Sequence, residues 1–267
     1  MRRQLALAAA ALMLCAGCSA GDSGAGTGGE RSDRTGEPTA ADQVRRAIDE
    51  LGRGAAGIDQ VMELGDAEKT YELTVQGAFD FGADRGRLAA DLSGVDIAHV
   101  DQMFVGGKVY VKPVAGLKPD RWGVVGRADV HANHLLRAPL NDPEHVLAQL
   151  DRMKEVSAEG EETIRGVRAV RYAGVLDHET VTLRGSETMR DQMGKARELL
   201  GDDFPVFADV WIDGRGRLVR SVLRMTMQDI TSTVTTDYAA LTKPVDVAAP
   251  DAGQVTPVGE VTGLLSG

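Results

Sequence analysis

The sequence predicts an α+β fold: one sizeable antiparallel sheet of seven or more strands with a few helices laid on one face. Three observations carry this. Long stretches alternate apolar and polar residues with period two, most clearly at 71–81, as half-buried antiparallel strands do. Gly- and Asp-rich pairs such as Gly106-Gly107 and Asp213-Gly214 punctuate those stretches at hairpin spacing. Only a few segments, led by the one beginning at Thr39, show the 3.6-residue period of amphipathic helices.

The chain opens with Arg2 and Arg3 followed by an apolar run from Leu5 to Leu14, which is too short to span a bilayer. That layout is a secretory signal. It ends in Leu14-Cys15-Ala16-Gly17-Cys18, small residues directly before a cysteine. This resembles a bacterial lipobox, in which a diacylglycerol is attached to the cysteine sulfur and the signal is cut before it. Leu14 stands one position further from Cys18 than the usual pattern has it. The expectation is a signal peptide at 1–17, lipidation at Cys18 and attachment to the extracytoplasmic face of the cell membrane. Residues 19–38 hold no apolar side chain larger than alanine and cannot bury a core. With Cys18 they form the expected 18–38 tether, reaching about 25 Å as a flexible coil.

Removing the signal takes two arginines, so the formal charge moves from −10 to −12. Such an acidic chain without a Lys/Arg cluster is no nucleic-acid binder. Both cysteines lie in the signal and lipobox, so the mature protein forms no internal disulfide and depends on its core. The 43% apolar content can supply one, although only 4% of residues are aromatic.

Within the expected domain, 39–245, Val44, Ala47, Ile48 and Leu51 form a helical stripe that Gly52 and Gly54 end. Ile58, Val61, Met62 and Leu64 are read as a further short helical turn. The strand at 71–81 puts Tyr71, Leu73, Val75, Gly77, Phe79 and Phe81 on one face. Leu88, Ala90 and Leu92 repeat the alternation, and a two-residue hairpin joins 103–105 to 109–111. Trp122 falls in a Pro/Gly-rich connection. Asn141-Asp142-Pro143-Glu144 starts a helix with a buried stripe at Val146, Leu147, Leu150 and Met153.

Strands resume near Val156, break at Gly160 and run again from 167 to 176. A helix at 188–200 places Met189, Met193, Ala196 and Leu200 together and stops at Gly201. A hairpin pairs 206–212 with 218–227, where Val219, Leu223, Met225 and Met227 oppose Arg220 and Arg224. The Thr-rich stretch 231–238 is a last strand. Residues 246–267 are expected to form an irregular tail.

Three segments resemble a known family. "GGKVYVK" at 106–112 followed by Trp122, "GVRAVRYAGVLD" at 166–177 and "ADVWIDGRGRLVRSVLRM" at 208–225 are similar to hairpins of actinobacterial LppX/LprG-type lipoproteins and the wider LolA/LolB-like superfamily. The resemblance covers about 40–245. It implies a curved antiparallel sheet, a half-barrel with helices packed on its concave face around an apolar cavity, in proteins that carry or sense lipids and lipoproteins of the cell envelope. It brings no catalytic motif and no cofactor.

A loosely packed helix layer rich in Met leaves room for an acyl chain. Met189, Met193, Leu223, Met225 and Met227, with Phe79 and Trp211, are the candidate cavity lining. Ordinary core packing is the alternative for each methionine, and Trp211 and Asp213 also read as a packed ring and a turn-starting acceptor. His131 and His134 lie three apart with Glu144 and His145 nearby, but H-E-x-x-H is missing, so exposed loop histidines are the simpler reading. No nucleophile elbow or phosphate-binding loop is present, which disfavours an enzyme. The expected partners are a lipid or glycolipid, the membrane through the lipid anchor, and an envelope protein if the fold serves as an interaction module.

Overall fold

In the computed structural model, residues 37–261 are described, apart from 67, 93–98, 202–203, 228 and 260. The lipobox with Cys18 and nearly all of the tether lie outside the described residues.

Helix α1 (Ala40–Gly52) opens with a capping box: the Thr39 hydroxyl accepts from the Asp42 amide at 3.2 Å and the Asp42 carboxylate accepts from the Thr39 amide at 3.1 Å. Val44, Ala47 and Ile48 are its buried stripe. Six strands follow: β1 (Ala55–Gly65), β2 (Thr70–Asp80), β3 (Arg85–Leu92), β4 (His99–Val105), β5 (Lys108–Lys112) and β6 (Trp122–Gly126). Then come α2 (Pro143–Leu150), β7 (Lys154–Ile164), β8 (Val167–Leu176), the single turn α3 (His178–Val181) and α4 (Glu187–Leu200). β9 (Val206–Asp213), β10 (Leu218–Met227), β11 (Ile230–Ala240) and the short β12 (Val255–Pro257) follow.

Among the described residues, twelve strands form one open sheet in the order β12-β6-β5-β4-β3-β2-β1-β11-β10-β9-β8-β7. Every pairing is antiparallel except β12 with β6. The fold is therefore an α+β curved half-barrel, with its helices on the concave face. On the face opposite the core, Arg165, at the tip between β7 and β8, bonds Asp59 of β1 at 2.7 Å and lies 3.4 Å from Asp237 of β11. The concave core joins Ile58, Val75, Phe79, Leu88 and Phe104 to α1, α2 and the Leu136–Leu140 stretch.

Four expectations change. Residues 58–64 are part of strand β1, not a helical turn. Ala56, Ile58, Gln60 and Met62 point inward, and Gln60, buried and bonded to the Thr236 hydroxyl at 3.0 Å, hides the period of two. Val219 does not share a face with Leu223, because a bulge between Leu218 and Arg220 shifts the register and turns Val219 onto the opposite side. Trp122 begins strand β6, next to the sheet's edge. The tail after 245 is not wholly irregular: β12 adds to that edge, clamped by Arg121, which donates to the carbonyls of Gly253 and Val255 and to the Thr256 hydroxyl.

Candidate functional site: an apolar pocket at one end of the sheet

A cavity of about 450 Å³ opens where α1 hands over to β1. Ala47, Glu50 and Leu51 of the last helical turns form one wall. The two-residue link to β1 is pinned, because the Gly54 carbonyl accepts from the amides of Phe81 and Gly82 at 2.8 and 3.2 Å. Ala56 pairs with Ala240 across the β1–β11 ladder, and with Ala55 and Ala239 beside them these small side chains leave the space unfilled. Ile164, Arg165 and Val167 close it from the β7–β8 tip, where Arg165 (φ 48°) and Gly166 (φ 82°) make a primed two-residue turn. Arg217, Leu218 and Val219 supply the last wall.

The charges around the mouth are already matched. Arg165 is held by Asp59 and Asp237, and Arg220 makes a two-pronged bond to Asp237 at 2.6 and 2.8 Å. Arg217 grips Asp213 at 2.8 and 2.6 Å. Asp213 also accepts from the amides of Arg215 and Arg217 and so builds the β9–β10 turn, as the sequence suggests. Burial pushes the Asp213 carboxyl up, but these donors outweigh it and hold the group below the usual carboxylate range. Beneath the mouth, Tyr238 is buried with its hydroxyl 3.1 Å from the Ser221 hydroxyl. Burial pushes its phenol up to about 12, so it stays neutral. The lining holds no serine, cysteine or histidine.

None of the seven residues singled out in the sequence lines this pocket. Phe79, Leu223 and Met225 are packed in the concave core, with the Phe79 ring 5.4 Å from that of Phe104. Met189 and Met193 are buried on α4, while Met227 is partly exposed at the far end of β10. Trp211 lies on the opposite face with Ile164, Ala169 and Val222, donating to Glu162 at 3.0 Å. What the sequence reading missed was smallness. Ala55-Ala56-Gly57 and Ala239-Ala240 are the signal, legible only once β1 and β11 are known to pair.

A second cluster anchors the helix layer. Arg127 is buried over the rings of Phe79 and Phe104, 5.2 and 5.3 Å from their centroids. It donates to Asp142 at 2.9 Å through Nε and also contacts Asp84 and Glu144. Asp142 accepts from Arg184 at 2.9 Å as well, and caps α2 through the Glu144 amide at 3.1 Å. Burial raises the Asp142 carboxyl, but Arg127 and Arg184 prevail and keep it low and ionised. His145, next to this cluster, is only 3% exposed, which corrects the expectation of a solvent-facing histidine. Burial, with Arg184 adding to it, lowers its imidazole to about 4. Among the described residues no group of three His, Cys, Asp or Glu side chains is placed to hold a metal.

No family model and no curated protein matches the chain. Its structural neighbours include LprF, LppX and LolA superfamily proteins. LprF from Mycobacterium bovis has a TM-score of 0.46 at 13% identity, covering 80% of this chain and 99% of that one. The lipoprotein LppX from Mycobacterium tuberculosis has 0.40 at 16%, covering 79% and 100%. A LolA superfamily protein from Nitrosomonas europaea has 0.32 at 8%, covering 77% and 95%. At such identities these are likenesses of fold, and none assigns a role to a residue of this chain.

Proposed function

We propose that this protein is an extracytoplasmic lipoprotein, anchored through a diacylglycerol on Cys18, that binds an apolar ligand such as a lipid or glycolipid without catalysis. The single observation that carries the ligand reading is the cavity of about 450 Å³ between α1, β1, β11 and the β7–β8 tip. Its size falls in the range of roughly 300–1,000 Å³ usual for small-ligand sites. Its walls are alanine, valine, leucine and isoleucine, and its rim charges already have counter-ions, so apolar contact is what it offers a guest. The anchor reading is supported by the signal and lipobox pattern; among the described residues no helix is long and apolar enough to cross a membrane.

Native mass spectrometry of the Cys18→Ser chain, made in cells with an actinobacterial envelope, tests the ligand. A bound mass removable by organic solvent is the expected result. A folded protein that repeatedly carries no such mass would sink it.

One observation favours the second reading, a sensing or protein-interaction module. The centre of the half-barrel is filled, with Phe79, Phe104, Leu88 and Leu223 all fully buried. On that reading the native membrane yields one cross-linked protein partner, and filling the pocket leaves its capture unchanged.

A further inference from the structure

At the end of the sheet opposite the pocket, four large apolar side chains stand in solvent. Leu64 is 45% exposed, Tyr71 52%, Met227 39% and Ile230 47%. They are neighbours: Leu64 pairs with Tyr71 across β1–β2, Met227 pairs with Ile230 across β10–β11, and Ile230 lies two residues from Ser232, the partner of Leu64. All four continue the inward row of their strands, beyond Met62, Leu73, Met225 and Ser232, which are buried. The strands outrun their cover. Eleven residues of β1 extend about 36 Å, while thirteen of α1 extend about 20 Å. The result is an apolar rim formed by two adjacent hairpin tips.

The direction of α1 says what faces this rim. Its last turns adjoin Ala55 and Ala56 at the pocket end. Near its start, Gln43 accepts from the Tyr172 hydroxyl at 3.0 Å, and Tyr172 is in register, through Val210, Ser221 and Thr236, with Gln60 halfway along β1. So α1 runs back along β1, and Pro38 lies on the side of the Leu64 end. Pro38, to which the nineteen residues after Cys18 lead in sequence, therefore stands on the rim side of the domain.

We propose that the rim docks on the bilayer surface that holds the Cys18 anchor, with a zwitterionic lipid interface as its partner. This rests on the lipoprotein reading above. Tyr71, with the Lys69 ammonium 4.5 Å over its ring, is the amphipathic pair that suits a headgroup layer. The tether keeps the effective concentration of lipid surface high, so weak contact suffices. Glu63, Asp66, Glu68, Glu72 and Asp229 surround the tips. The acidic ring makes docking apolar in origin and weakens it on anionic lipid at low salt.

The test uses the lipidated full-length chain with Tyr71→Trp, in phosphatidylcholine vesicles whose acyl chains are brominated, with Ile230→Trp as a second reporter if the first variant folds poorly. Trp122 and Trp211 are buried, and the wild-type signal is subtracted. Docking quenches the added tryptophan by about half. Replacing half of the lipid by phosphatidylglycerol reduces the quenching at low salt, and high salt restores it. An unquenched reporter on a chain that floats with the vesicles overturns docking while leaving the anchor intact. A mature chain without a lipid mass at Cys18 removes the anchor reading and the docking with it. A reporter already shielded in a concentration-dependent dimer, before vesicles are added, assigns the rim to a second copy and also overturns the proposal.

Discussion

Arg127 holds three carboxylates and Arg165 two, yet they act in opposite surroundings. Arg127 is sealed between Phe79, Phe104 and the start of α2, and its carboxylate Asp142 has almost no contact with water. Arg165 sits at a hairpin tip with more than half of its side chain in solvent. The first network ties the helix layer to β2 and β4; the second draws the β7–β8 tip over the pocket mouth. Burial decides which one the fold depends on. A buried pair that loses a partner leaves an uncompensated charge, whereas an exposed pair is replaced by water.

The largest effect therefore belongs to Asp142. Asp142→Ala leaves Arg127 with only the half-exposed Asp84 and Glu144, takes Arg184's carboxylate away and removes the α2 cap, so stability should fall by about 3–5 kcal/mol. For a domain of this size that is roughly 6–20 °C in Tm by calorimetry. The comparison sharpens with Arg127→Met added to Asp142→Leu. If burying charge is the problem, the apolar pair recovers part of the loss; if the double variant is no better than Asp142→Ala, Arg184 carries more of the cluster than this account gives it.

Acid should attack the same region. His145 is neutral in the folded state, with its imidazole lowered to about 4 by burial and by Arg184. The unfolded chain binds its proton at about 6.5, so stability is complete above that value and is lost as pH falls toward 4, by about 3 kcal/mol. Asp142 has the depressed pKa of a paired carboxylate, and its contribution fades only at still lower pH. Urea unfolding between pH 7 and 4.5 measures the slope. His145→Gln should flatten it, and an unchanged slope would move the effect to other groups.

The two networks were not equally legible. The Asn141-Asp142-Pro143-Glu144 start, the Gly106-Gly107 hairpin and the stop at Gly201 follow from local chemistry, and all three appear where the sequence places them. The partners of Asp142 are 15 and 42 residues away, and no local pattern announces them. The same holds for the pocket, whose walls come from five separate stretches and whose defining property is the absence of bulk. Inward polar residues misled the period at Gln60, and a bulge reversed the face of Val219. Periodicity reports which face is buried only while register is regular.

A moderate effect is expected from Ala240→Trp. Ala240 is exposed on the pocket wall, so the indole can fill the cavity without disturbing the core. Binding of an apolar dye such as N-phenylnaphthylamine should weaken about tenfold or more, while Tm moves by no more than about 2 °C, as for surface changes generally. Loss of dye binding together with a large fall in Tm would mean that the wall is core after all.

The smallest equilibrium effect belongs to Arg165→Gln. The bonds to Asp59 and Asp237 are open to solvent, and Asp237 keeps Arg220, so no charge is stranded. Tm should shift by no more than about 2 °C. The consequence should be kinetic: an untethered tip uncovers the pocket more often, and the dye leaves faster in the variant than in the wild type. Salt discriminates further. Screening loosens the wild-type tip, so its dye release should accelerate with ionic strength, while the variant, lacking the pair, stays flat. If both proteins respond alike, the tip is held by Ile164 against Trp211 and not by charge, and the contrast between the two arginines fails at the pocket.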